Sequence, residues 1–492
     1  AQQFLGINSI TRDGNEEIVN YLIPIYEALG AKVILQQVLH SSEGMSKRQF
    51  NLIGVLGDDL VDARNQRGLL LLSHVDTPSP GNLSDWKRLN SKPWAPQIDG
   101  QDAIGLGAAD AKLDFLCKLE ACRDFVDKKL KEPLYIVATC GAESPIMGAK
   151  FLIQSKVVNP RFVLVGSPTE LSLINNHKSK LVVALQISFV SVDRDTREFN
   201  TRIRITTKGK SAHAAYPGSG DSAVAKIVSL LRFLRDSKIS MKLYSLQGGS
   251  DINKIPDTGE VSIVIPDLQL DQFRRKFKAY LVDHPQDYFE LKFGGTGSEG
   301  VRLFPEELID AIFFADDLVS SMDRQLKEAE NPEFSPPYST VAVNSIVHEK
   351  DAITLSLHFS LLPEASTIGA RKELETKIQS EIERISQGFR RLSLRFKRVL
   401  AAPPMYTDES STFVQGLMGA LVRSGIPAKV ATSSACSEGA FFSERGIATV
   451  AFGPGRAAGN SHSADEANDL AQMDAAVRFY SQVIDSFCHR GI

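Results

Sequence analysis

The chain has 492 residues, 43% of them hydrophobic and 23% charged, with a net charge of -3 at pH 7. That length accommodates two or three domains, and the balance is that of an ordinary soluble globular protein. It gives no electrostatic case for nucleic acid or an anionic membrane: the basic run Arg395-Phe396-Lys397-Arg398 is short and mixed, and no apolar run is long enough to span a bilayer.

The start, Ala1-Gln2-Gln3-Phe4-Leu5, has neither the basic residues nor the apolar length of a signal peptide. Asn15 to Leu29 reads as an amphipathic helix stopped at Gly30. The run Leu69-Leu70-Leu71-Leu72 then ends in Ser73-His74-Val75-Asp76-Thr77, a fully buried strand whose carboxyl end is where open α/β sheets place their chemistry. His74 can ligate a divalent ion there, and Asp76, two residues on, points the same way and can support it from behind. Alone that pair is weak evidence, so further ligands are needed at other strand ends.

They follow in order. Gly105 to Lys112 places Asp110 after a glycine turn, opening a helical stretch from Leu113 to about Lys129, where an N-cap is the competing reading. Leu134 to Thr139 is another buried strand, leading to Glu143, and Phe162 to Val165 leads to Gly166-Ser167-Pro168-Thr169-Glu170. From Pro404 the rhythm returns, with a helical stretch Ser411 to Ser424 and a strand Thr449 to Phe452 that precedes Gly453-Pro454-Gly455 and His462. Strand ends rich in His and carboxylate point to a zinc-type site.

Between these parts lie alternating strands Thr201 to Thr206 and Val261 to Ile265 around a helix Ser222 to Arg235. A similar set follows: strand Ala352 to Leu361, helix Ala370 to Gln387, strand Leu392 to Leu400, with Phe334 to Tyr338 as a linker between the sets. Both flanking parts carry strand-end ligand candidates, His74 in the first and His462 in the second. Residues 1–178 and 404–492 are therefore expected to form one catalytic domain, interrupted by a doubled α+β lid at 179–403. Five cysteines without paired spacing place the chain in a reducing cytoplasm, and none pairs as a zinc ligand.

Jointly, Ser73 to Thr77, Gly105 to Lys112, Glu143 with Gly148-Ala149, Gly166 to Thr169, Gly209 to Ala214, Asn253 to Asp257, Gly453 to Gly455 and His462 to Glu466 resemble one superfamily. It is that of zinc aminoacylases, acetylornithine deacetylases, succinyl-diaminopimelate desuccinylases and glutamate carboxypeptidases, and the enlarged lid is similar to that of the aminoacyl-histidine dipeptidase branch. The resemblance implies an α/β fold: a di-zinc exopeptidase-like catalytic domain with a central, mostly parallel sheet. It makes His74 and His462 imidazole ligands of two zinc ions (cobalt or manganese as substitutes), Asp110 the bridging carboxylate, Glu143 a carboxylate ligand and Asp76 the residue orienting His74. It also implies that His213 stabilises an oxyanion and that Asn253 contacts substrate. Arg456 is a candidate for a substrate carboxylate, against a solvated surface role.

Two positions depart from the family pattern. Counting back from Gly148-Ala149, Ala142 stands where the family has the glutamate that acts as general base, and Ser167 stands at a carboxylate ligand position. A register slid by one residue would instead make Glu143 the base and Ser144 the lost ligand. Without Ser167 as a ligand the site holds one ion unless Glu170 swings in. The resemblance implies a zinc-dependent amidohydrolase acting on an N-acylated amino acid or short peptide, crippled by Ala142, with a homodimer compatible with the class. A non-catalytic binding or regulatory protein on the same scaffold is the alternative, and a third reading makes Ala142 a substitution introduced to trap substrate.

Overall fold

In the computed structural model, the structure describes residues 1–38, 48–57, 66–143, 147–190, 201–249, 251–294 and 303–491. One sheet of nine strands is ordered Lys32–Val38, Gln49–Leu56, Leu134–Thr139, Leu69–His74, Phe162–Gly166, Ala448–Phe452, Leu173–His177 and Met405–Tyr406, with Val430–Ser433 pairing off Leu173–His177. Its centre is parallel: Leu69–His74 lies between Leu134–Thr139 and Phe162–Gly166, and Ala448–Phe452 continues the run. The outer pairs are antiparallel.

The unbroken leucine run has a direct cause in the layering. Leu69 and Leu71 face a core with the helices Glu16–Ala28, Lys112–Cys122, Thr412–Arg423 and Leu470–Ile484, whereas Leu70 and Leu72 face a second core with Met147–Ser155 and Gly439–Ser443. A strand covered on both faces has no polar alternation to show. The helix after Asp110 is shorter than the sequence suggests: it runs Lys112–Cys122 and passes into a 3₁₀ turn, Arg123–Phe125. The helix at 412 keeps its expected start, with Ser411 capping the Val414 N–H.

The intervening chain forms a second, fully antiparallel sheet of eight strands, ordered Tyr288–Gly294, Thr201–Lys208, Thr258–Ile265, Lys242–Gly248, Thr340–Glu349, Ala352–Leu361, Ser179–Phe189 and Leu392–Ala402. The two α+β sets of the sequence are thus halves of one sheet, joined where Gly248 pairs with Ile346. The helices Ala223–Asp236, Leu270–Asp283, Glu307–Leu326 and Ile368–Ser386 pack into one core with it.

The segment Phe334 to Tyr338 comes just before the strand Thr340–Glu349 and is docked rather than free. Phe334 is buried, and the buried Lys178 ammonium donates to the carbonyls of Pro336 (2.8 Å) and Tyr338 (2.7 Å). Ser211 Oγ donates to the His462 carbonyl at 2.7 Å, and Lys254 Nζ to the Ser79 carbonyl at 3.1 Å. These bonds hold the second sheet's loops over the strand ends of the first.

Candidate metal centre

The parallel register brings the site's residues to one level. His74 pairs with Thr139 on one side, and the pairing of Leu72 with Val165 carries His74 to the level of Ser167 on the other. Ahead of Asp110, Gly107 adopts a left-handed conformation (φ 84°), which only glycine takes without strain, and the chain then turns into the site. Asp110 is not a helix cap: Ala111 holds that position and makes no side-chain cap bond. Its carboxylate goes instead to His74 Nε2 (3.1 Å) and Ser461 Oγ (3.1 Å), with His462 Nε2 at 3.8 Å. His462 Nε2 in turn lies 3.0 Å from Glu143 Oε1. His462 sits at φ 62°, a conformation uncommon for a residue with a Cβ and a mark of constraint at this site.

Asp76 supports the centre in two ways. Its backbone carbonyl accepts from His74 Nδ1 at 3.0 Å, which fixes the ring and turns Nε2 toward Asp110, while its carboxylate lies 3.7 Å from Nδ1. That carboxylate accepts from Thr11 Oγ1 (2.6 Å) and from the N–H groups of Ala142 (3.2 Å) and Glu143 (3.3 Å), so it pins the turn that presents Glu143.

Burial opposes every charge here; it keeps Asp76 above the usual carboxylate range, whereas at His74, His462, Asp110 and Glu143 the partners outweigh it. Burial alone would lower His74, but the Asp110 hydrogen bond and the charges of Asp110, Asp76 and Glu143 hold it well above the usual histidine value. His462 is raised in the same way, mainly by Glu143, and His462 keeps Glu143 below the usual carboxylate range despite burial. The neutral His213 contrasts with them: burial, then the charges of His462, Lys180 and His358, push it well below 6.5. Its Nδ1 accepts from the Ala215 N–H at 3.1 Å, so the ring proton resides on Nε2, and its ring lies 4.7 Å from that of His462.

A cavity of about 50 Å³ is bounded by His74, Asp110, Ala142, Glu143, Ser167, His213 and Asn253. Asn253 Nδ2 donates to Glu143 Oε2, and its Oδ1 accepts from Lys180 Nζ at 3.4 Å. Arg456 is exposed and outside this lining, as is Glu170. Ser144, the lost ligand of the slid register, lies outside the described residues.

The structure adds lining residues that the sequence reading did not single out: Lys180, Cys436, Ser437 and Glu438. Glu438 is 3% exposed. Its Oε2 accepts from Thr139 Oγ1 at 2.7 Å, its Oε1 has no hydrogen-bond partner among the described residues, and burial pushes its pKa up to about 7. Glu466 is also buried; it accepts from the Gly107 N–H through Oε1, its Oε2 has no partner among the described residues, and burial raises it to about 8. The signal available for Glu438 was an acidic residue immediately before Gly439 and the apolar Ala440-Phe441-Phe442, which reads equally as a helix start.

Among the described residues, His74, Asp110 and Glu143 each bring one ligand atom within 4.8 Å of the others. Imidazole and carboxylate converging in a buried pocket, with unpartnered oxygens nearby, are a donor set that fits a divalent cation of the zinc type. A family model described as "Peptidase family M20/M25/M40" matches residues 70–486. The chain belongs to this family. Among curated relatives of this family member, the acetylornithine deacetylase of Aliivibrio fischeri is 29% identical over 229 residues, 45% of this chain and 51% of that protein. The acetylornithine deacetylase of Yersinia pestis is 30% identical over 217 residues, 44% and 48% of the two chains. The chain thus spans about half the length of the curated relatives it matches. Solved structures share the fold nearly end to end. Aminoacylhistidine dipeptidase from Vibrio alginolyticus superposes with a TM-score of 0.53 at 17% identity, covering 99% of this chain and 95% of that one. Human carnosine dipeptidase 1 gives 0.58 at 9% identity, covering 98% and 94%.

Proposed function

We propose that this chain is a metal-dependent hydrolase that cleaves the amide bond of an N-acylated amino acid or a short peptide. The observation that carries the reading is the convergence of His74, Asp110, Glu143 and His462 at the carboxyl edge of a parallel sheet. These four residues would hold the cation, zinc being the expected ion, and residues 179–403 would act as the lid over it. A cation so held supplies Lewis acidity toward a carbonyl oxygen and acidifies water.

The chain's own groups do the rest. Asp76 fixes His74 through its carbonyl and Glu143 through the turn it pins. His213 presents a neutral Nε2–H donor beside His462, suited to the negative charge that develops on a carbonyl oxygen under attack. Asn253 holds Glu143 and faces the same cavity. Ala142 lines that cavity where a proton acceptor is needed and offers none, so turnover is slow. The same observation favours one second reading, a ligand-binding or regulatory protein without turnover.

The test is hydrolysis of a panel of N-acyl amino acids and dipeptides by chelated and zinc-loaded protein. Slow cleavage that appears with the cation and disappears in His462→Ala supports the hydrolase. Substrate binding without any cation-dependent cleavage transfers the case to the binding protein.

A further inference from the structure

Glu438 is a buried carboxylate with one oxygen engaged and one without a partner among the described residues, and it opens on the cavity that His74 and Asp110 line. The layering fixes which side of the cavity it occupies. Leu70, Leu72, Tyr135, Val137, Val163 and Val165 all face the core that holds the helix Gly439–Ser443. By strand alternation Thr139, His74 and Ser167 continue that face at the strand ends. Glu438, immediately before that helix and bonded to Thr139 Oγ1, therefore lines the cavity from the same side as His74 and the neutral hydroxyl of Ser167.

Its placement is rigid. The neighbouring Ser437 is anchored to His177, whose Nδ1 donates to the Lys178 carbonyl (2.9 Å) and whose Nε2 accepts from the Ser437 hydroxyl (3.0 Å) and N–H (3.2 Å). Of the charged groups around Glu438, His74 acts on it most strongly. A carboxylate oxygen held dry and unpaired is unfavourable unless a proton or a cation satisfies it.

We propose that Glu438 is a metal ligand: the cation held by His74 and Asp110 takes its next protein oxygen from Glu438, which supplies the negative charge that Ser167 lacks. The proposal rests on the metal-centre reading above. It places the missing carboxylate on a different element of the fold, one that reaches the same edge of the sheet from the helical layer.

The test is titration of the full-length, metal-stripped chain with zinc and with cobalt(II), read by calorimetry, by metal content after gel filtration and by the visible cobalt spectrum. Glu438→Gln is expected to weaken one cation by about 10- to 100-fold and to change the cobalt band shape. Ser167→Glu added to that variant is expected to restore binding, whereas Ser167→Glu alone gains little. Should Glu438→Gln fail to fold, Glu438→His, which keeps a ligand atom, is expected to retain the cation count. Unchanged affinity in Glu438→Gln, with loss in His74→Ala, overturns the ligand assignment and leaves the metal centre standing. Unchanged cation binding with abolished hydrolysis makes Glu438 a proton acceptor and also overturns it. No binding by the unaltered chain overturns both.

Discussion

Ala142→Glu tests whether a proton acceptor is the missing component. The N–H groups of Ala142 and Glu143 are both held by the Asp76 carboxylate, so a longer side chain at 142 leaves the backbone of the turn in place and extends into the cavity. A general base contributes about 10² to 10⁴ in rate, or roughly 3 to 5 kcal/mol of barrier. The opposing effect is electrostatic, because Asp110, Glu143 and Glu438 already line the cavity. A further charge about 5 Å from one of them costs roughly 3 kcal/mol at an effective dielectric of about 20. The variant should therefore be less stable than the parent when metal-free and recover when zinc is added. The assay is initial-rate hydrolysis of acylated amino acids and dipeptides at saturating zinc, beside thermal melts with and without the ion. A folded, zinc-loaded Ala142→Glu protein with no gain on any substrate refutes the missing-base argument.

Other outcomes follow from the same geometry. His213→Gln should lower kcat by about 10² to 10³ with cation content unchanged, and the parent's pH–rate profile should lack a His213 ionisation at the ordinary histidine value of about 6.5 because burial and neighbouring positive charges keep the ring neutral there. In metal-free protein, the raised His74 and His462 contribute stability that is complete below their unfolded value near 6.5 and is lost as pH rises through the folded values; the lowered Asp110 and Glu143 contribute stability present above about 4 and lost as pH falls. The melting-temperature difference between the metal-free parent and metal-free His74→Ala should accordingly be largest between about pH 4 and 6.5, and calorimetry in buffers of different ionisation enthalpy should detect proton release on zinc binding. Leu71→Ala, at a position with no solvent exposure, should cost about 2 to 5 kcal/mol in denaturant unfolding.

The sheet that carries the site was legible because its central strands are covered on both faces, so Leu69 to Leu72 and Leu134 to Thr139 appear as unbroken buried runs with the candidate residues His74 and Glu143 just beyond them. Helix limits were less legible: nothing in the stretch after Asp110 marks the change at Cys122 from α-helix to a tight turn. Asp110 has the residue type of a cap, and only the third dimension, which brings His74 and Ser461 to its oxygens, shows that its carboxylate faces the cavity instead. The second sheet's elements were visible as alternating strands, but their union was not, since Ser179–Phe189 pairs with Ala352–Leu361 and Leu392–Ala402 across long stretches of chain. Glu438 lies in Ser433-Ser434-Ala435-Cys436-Ser437-Glu438, where no buried run announces a strand end. Its place in the cavity depends on Thr139, almost three hundred residues earlier in the chain.

The central claim is that His74, Asp110, Glu143 and His462 form one cation-binding centre, and elemental analysis after zinc loading and gel filtration tests it most directly. The unaltered chain should retain about one to two zinc ions per molecule, and His74→Ala and His462→Ala should each retain fewer while keeping the parent's circular dichroism. An unaltered chain that retains none, or alanine variants that retain as much as the parent, would contradict the account.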